Sequence, residues 1–213
     1  MKKSNFPIQS LLLVAVAILS LVLGLWLSQK LGGKTLVPAD LDATFLPSGK
    51  PLAPFSLVDQ DGKAFDVDRL KGRWTFMFFG YTNCPDVCPT TLQTMKDAWK
   101  LLDKKSLDKT QMVFVSVDAD RDPPAVLKKY VNYFHPDFIG VTGKPEQMDL
   151  LTRNIGILYG FEDPQPGRKD YVVNHSGQIV LIDPAANLRA VFSPPHDPQK
   201  IAGSFQKIRN LLE

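Results

Sequence analysis

Residues Trp74–Thr91 read WTFMFFGYTNCPDVCPTT, and this stretch decides the fold. Five of its first six residues are apolar, without alternation, rich in aromatics and bounded by Gly72 and Gly80, the pattern of a short buried strand. Past Gly80 the composition turns polar, and Cys84 and Cys88 appear four positions apart among Pro85, Asp86 and Pro89. From Thr91 the apolar residues Leu92, Met95, Trp99 and Leu102 recur at helical intervals, so a helix runs to Leu102. The cysteines therefore sit at a strand-to-helix junction, near a helix N-terminus. Backbone N–H groups and the helix dipole favour thiolate there.

Further along the chain, Met112–Val117 (MVFVSV) reads as a second buried strand. Asp122 and Pro123 supply an N-cap and a first-turn proline for a helix ending near Phe134. Phe138–Val141 is a short strand and Pro145–Asn154 a helix. Tyr171–Val173, Ile179–Ile182 and Leu188–Phe192 read as strands, the last two forming a hairpin across Asp183–Asn187. Ala202–Leu212 closes the chain as a helix with Phe205, Ile208 and Leu212 on one side. Strands alternating with helices, then a terminal hairpin and helix, give a three-layer α/β domain. Its sheet is expected to be parallel where it starts and antiparallel where it ends.

The chemistry concentrates on the cysteines. If both are helical, their Cβ atoms lie about 5–6 Å apart on one face, against about 3.5–4.5 Å in a relaxed disulfide. Any bridge is then easily reduced. Two thiolates on one face also form a two-point claw for a soft cation, best matched by copper(I). The polar, proline-flanked surroundings argue against cysteines that merely pack. The Cys-x-x-x-Cys spacing alone leaves redox work and metal binding both open.

Three histidines are available as a further ligand. His175, in YVVNHSGQIVL (171–181), ends one strand and precedes the next, on the face where strand ends and their loops gather. It is either a turn residue beside Ser176-Gly177 or the third member of a Cys2His set. His135, at a helix end before Pro136, and His196, in SPPHDPQK, read as structural. Asp118, Asp120 and Asp122 lack the glycine and terminal glutamate of a calcium loop. Asp122 is accounted for as a cap, and Asp118 at most supports the cysteine site. No glycine-rich phosphate loop or G-x-S-x-G elbow is present, which removes those enzyme classes.

The chain has 213 residues, 44% of them hydrophobic and 22% charged, with a formal net charge of +3. The excess is N-terminal: Lys2, Lys3, Lys30 and Lys34 face no acid, leaving 21 basic against 22 acidic residues beyond them. That balance carries no electrostatic footprint for nucleic acid. From Phe6 to Gln29 no charge occurs, and Ile8–Leu27 (IQSLLLVAVAILSLVLGLWL) is long enough to cross about 30 Å of hydrocarbon. Trp26 suits the interface. A cleaved signal peptide would have an apolar run of about 7–15 residues ending at a small-x-small site, which SQKLGGKTL (28–36) matches poorly. Residues 1–29 are thus expected to anchor the chain in a lipid bilayer as one transmembrane helix. Residues 30–49, rich in Gly and Pro, form a tether and 50–213 the domain. Positive-inside bias puts the N-terminus inside and the domain outside the cytoplasm, where thiols face oxidising conditions.

These motifs carry a resemblance. GYTNCPDVCPTT (80–91), SVDADRDPP (116–124) and a late His175 before a strand resemble the Sco/SenC family, over about residues 50–213. The resemblance implies a thioredoxin-like domain behind a membrane anchor, and a copper metallochaperone that serves the binuclear copper centre of cytochrome c oxidase. It maps the copper ligands onto Cys84, Cys88 and His175, for Cu(I) or Cu(II). It implies as partners the copper-centre subunit of the oxidase, a periplasmic copper donor and a thiol reductant. Two positions depart from the pattern: Asn83 replaces a common histidine and Ala119 a common proline. Thioredoxins proper have Cys-x-x-Cys faced by a cis-proline, whereas no proline occurs between Arg168 and Ile182 here. The alternative activity is a thiol–disulfide reductase that keeps the partner's cysteines reduced through Cys84 and Cys88. A peroxidase is disfavoured, because Tyr81-Thr82-Asn83 does not match the peroxiredoxin pattern ahead of the reactive cysteine. The short segment before Phe6 leaves no room for a transit peptide, so a bacterial inner membrane and a periplasmic domain are expected.

Overall fold

The strands in chain order are β1 (Thr44–Pro51), β2 (Ser56–Asp59), β3 (Ala64–Asp66), β4 (Trp74–Gly80), β5 (Thr110–Ser116), β6 (Ile139–Thr142), β7 (Tyr159–Glu162), β8 (Val172–His175), β9 (Ile179–Ile182) and β10 (Asn187–Phe192). The helices are α1 (Ile8–Leu31), α2 (Val87–Lys100), α3 (Lys104–Leu107), α4 (Pro124–Phe134), α5 (Pro145–Ile155) and α6 (Pro198–Leu212). These come from a computed structural model that describes residues 8–31, 38, 40–162 and 170–213.

Eight strands form one sheet in the order β1-β10-β9-β4-β5-β6-β2-β3, and β7 and β8 form a separate pair. Pairing is parallel for β4–β5 and β5–β6, and antiparallel for β4–β9, β9–β10 and β1–β10. The expected change from parallel to antiparallel therefore occurs across β4. Every residue of β4 is buried, which explains why its sequence shows no alternation. Trp74, Phe76 and Phe78 enter one core with Met112, Phe114, Ile179 and Leu181. Met77 and Phe79 enter the other with Val113, Val115, Val180 and Ile182. On the first face lie Leu92, Met95 and Trp99 of α2, Leu127 and Val131 of α4, and Phe205 and Ile208 of α6. On the second lie Met148, Leu151 and Ile155 of α5, with Leu57, Phe65 and Leu70. Each such buried side chain contributes about 1.5–3 kcal/mol, and the two cores make the three layers.

The chain divides into two units, Met1–Leu36 and Val37–Glu213. In the first, α1 shows exposed side chains from Leu12 to Leu27. Among the described residues no helix is long and apolar enough to cross a membrane, so the expected anchor rests on the sequence alone. In the second, β1 draws residues 44–49 of the expected tether into the sheet edge, against β10. The composition misleads because Pro47 and Gly49 fall where the register shifts between Phe45 and Lys50, and an edge strand tolerates both. Gly49 has φ +65°, and the Arg189 guanidinium would lie 2.8 Å from an added Cβ. Arg189 also donates to the Pro47 carbonyl at 2.7 Å.

The cap expected at Asp122 is not made. Pro123 occupies the N-cap position of α4, and the Asp122 side chain turns inward to the loop that follows β4.

Candidate metal centre

β4 delivers the chain to the end of the sheet where both cores meet, and Cys84 packs against both. Asp122 fixes the loop between. Its carboxylate accepts from the Thr82 amide at 2.8 Å, the Thr82 hydroxyl at 2.5 Å and the Ser116 hydroxyl at 2.5 Å. The Cys84 amide closes a turn on the Tyr81 carbonyl at 3.2 Å. Cys84 is therefore in a turn, three residues before α2 starts at Val87. The premise that both cysteines are helical fails, since Pro85 and Asp86 intervene as bends. Asp86 occupies the N-cap position without capping the backbone, its carboxylate accepting from the Thr90 hydroxyl at 3.2 Å. The Cys88 amide donates to Cys84 Sγ instead, at 3.4 Å. A sulfur thus takes the role usually given to a capping oxygen.

His175 reaches this point because β9 runs antiparallel to β4. Ile179 pairs with Phe78 near the end of β4, so the segment entering β9 passes the cysteine loop. Nε2 of His175 lies 3.4 Å from Cys88 Sγ and 3.9 Å from Cys84 Sγ. The three ligand atoms all fall within 4.8 Å of one another. Nδ1 faces the Ser176 carbonyl at 3.3 Å, which orients the ring so that Nε2 is the atom facing the sulfurs. The ring sits edge-on to Phe78 and Tyr81, at 5.9 and 6.0 Å.

The two thiols are free but unequal. The Cys88 side chain, the His175 ring and the amides of Cys88 and Asp86 stabilise the Cys84 thiolate, against the cost of burial, and lower its pKa to about 4. Cys88 is fully buried. Its neighbour's sulfur and its burial both push its thiol up. Space behind it is tight: a Cβ on Gly80 would collide with Cys88 Sγ. The centre thus holds one ready thiolate, one thiol that ionises only with a counter-charge, and one imidazole ring.

Among the acidic residues, Asp118 is buried in an ion pair with Arg121 and accepts from the Tyr171 hydroxyl at 2.7 Å. Asp120 is exposed. His135 ends α4, its Nδ1 accepting from the Asp137 amide at 3.2 Å. His196 donates to the Gly177 carbonyl at 2.7 Å and so steadies the turn after His175. Neither joins the cluster of three. Sequence reasoning missed the support given by Asp122, Tyr81, Arg121 and Tyr171; only the density of charge in SVDADRDPP signalled it.

Comparison with known proteins adds to this geometry. The family model described as SCO1/SenC matches residues 47–212. A SCO2-like protein of Rickettsia felis is 37% identical over 147 residues, covering 69% of this chain and 71% of its own. The crystal structure of Arabidopsis thaliana ScoI with copper bound aligns with a TM-score of 0.68 and 34% identity, over 74% of this chain and 97% of the other. The structure of Bradyrhizobium japonicum ScoI with copper bound aligns at 0.66 and 34%, over 74% and 99%.

Proposed function

Since the chain belongs to the SCO1/SenC family, we propose that it binds copper and takes part in the assembly of cytochrome c oxidase. Its ligands are Cys84, Cys88 and His175. The observation that carries this reading is the convergence of two sulfurs and an imidazole nitrogen within 4.8 Å. Two thiolates suit Cu(I), and the imidazole extends the site to Cu(II). Binding releases the Cys88 proton, because the ion supplies the counter-charge that this thiol lacks. Cys84 and His175 are only half-buried, so an incoming ligand can replace them one at a time. Copper then passes to the binuclear centre of the oxidase subunit without any change of electron count. The N-terminal segment holds the chain in a bacterial inner membrane as a single pass, with the copper domain on the periplasmic side.

The low pKa of Cys84 favours a second reading, thiol–disulfide reduction. The Cys84 thiolate attacks a partner's disulfide and forms a mixed disulfide. Cys88 then loses its proton, attacks Cys84 Sγ and releases the partner as a dithiol, leaving Cys84–Cys88 oxidised. This route uses His175 only to steady the Cys84 thiolate and needs no third ligand.

Copper titration separates the two. The reduced chain is titrated anaerobically with Cu(I) against a chelator, and with Cu(II) by visible absorption, beside a His175→Ala variant. The copper reading predicts one tight equivalent, thiolate-to-copper charge transfer, and at least about tenfold weaker binding in the variant. Equal binding by the variant, or oxidation of the pair with release of copper, gives the function to the reductase.

A further inference from the structure

Asp118, Arg121 and Asp122 of the SVDADRDPP segment have a joint use that neither ligation nor capping explains. Asp122 holds the cysteine loop through Thr82. Arg121, the residue before it, reaches the histidine strand. Its guanidinium lies 3.7 Å from the ring centre of Tyr171 and 5.2 Å from that of Tyr81. Tyr81 is three residues before Cys84, and Tyr171 four residues before His175. The same guanidinium donates to the Tyr171 carbonyl at 2.8 Å and pairs with Asp118, whose other oxygen accepts from the Tyr171 hydroxyl at 2.7 Å. The side chains of Arg121 and Asp118 are 5% and 1% exposed, so the pair is shielded from solvent and from salt.

The strand so held has little sheet to hold it. Among the described residues β8 pairs only with β7, through a register that sets His175 opposite Tyr159. β7 is tied down by the Tyr159 hydroxyl, which donates to Asp149 at 2.7 Å, and β8 by the buried Val173. Relying on the proposed copper ligands, we infer that Arg121 is a positioning residue for His175. It joins the two halves of the ligand set, the cysteine loop through Tyr81 and the histidine strand through Tyr171, into one preorganised unit. The choice of arginine follows from its shape: a flat cation can stack on two rings while its edge serves a carboxylate and a carbonyl, which lysine cannot do.

The test is a double-mutant cycle on Cu(I) affinity in the full chain, with competition by a chelator. Arg121→Lys keeps the charge opposite Asp118, so no carboxylate is left buried alone. Tyr171→Leu removes the ring on the histidine side and leaves the Arg121–Asp118 pair in place. Each is made with His175 present and in a His175→Ala background, and melting of the metal-free proteins establishes that they fold. With His175 present, each variant is expected to bind copper about tenfold more weakly. In the His175→Ala background neither loses affinity further. In metal-free protein, amide exchange over residues 172–175 speeds up. Unchanged affinity with His175 present, equal losses in both backgrounds, or unchanged exchange would each overturn the assignment. Failure of the copper reading itself looks different: His175→Ala alone would then bind as the parent does.

Discussion

Cys84 and Cys88 are the same residue type four positions apart, and their surroundings give them opposite chemistry. Cys84 receives the Cys88 thiol, the His175 ring and two helix-end amides, whereas Cys88 is buried beneath Gly80 with a sulfur anion beside it. The sign of the pH dependence follows. A depressed pKa means that the Cys84 thiolate persists at every pH above about 4 and is lost only as pH falls through that value. An ordinary thiol near 8.5 is under about 1% ionised at pH 6. Alkylation of the reduced, metal-free chain is therefore expected to modify Cys84 first, at a rate nearly flat between pH 6 and 8. Peptide mapping with quench-flow iodoacetamide checks this; a rate rising about tenfold per pH unit, or modification of Cys88 first, contradicts it. The sequence supplied both cysteines and the reason for an acidic thiol, since the apolar run of β4 followed by the helical spacing of Leu92, Met95 and Trp99 places them near a helix N-terminus. It could not supply the asymmetry, which comes first from the contact between the two sulfurs and from the burial of Cys88, with a histidine 91 positions further on adding to it.

At the scale of elements, β4 and α2 were legible because their signals are local: an apolar run bounded by glycines, and a helical spacing of Leu92, Met95 and Trp99. The hairpin of β9 and β10 was equally plain. β1 and β7 were not. β1 carries Pro47 and Gly49 at an edge irregularity, and β7 (YGFE) is four residues long with no buried position. The role of Asp122 was misread for a related reason. Asp followed by Pro is a strong local capping signal, but three donors on other segments outbid it. The junction of β4 and α2 is also where packing is least forgiving. Gly80→Ala would place a methyl group against Cys88 Sγ and 3.1 Å from the Phe114 ring. The expected result is a loss of about 1–3 kcal/mol of stability from overpacking and copper binding weakened by at least about tenfold. Chemical denaturation and chelator competition would measure these effects. A variant with parental stability and affinity would contradict the close approach described here.

For the whole molecule, the division at residues 36 and 37 separates an apolar helix from a unit with two cores of its own. A chain starting at Val37 is therefore expected to melt cooperatively and stay in solution, while the full chain remains with membranes after a carbonate wash. Release of the full chain by that wash would contradict the proposed anchor. Topology explains why the site lies where it does. The sheet changes from parallel to antiparallel across β4, so the end of β4, the start of α2 and the approach to β9 arrive at one place. The three-layer class was readable from the alternation of strands and helices; the meeting of His175 with the cysteines required the register of β9 against β4. In reduced protein copper is proposed to bind through Cys84, Cys88 and His175 together. X-ray absorption on the chain loaded with one equivalent of Cu(I) tests it most directly. The account predicts a first shell of two sulfurs and one imidazole nitrogen, the nitrogen vanishing in His175→Ala; a shell of sulfurs alone, or one that the substitution leaves unchanged, would contradict it.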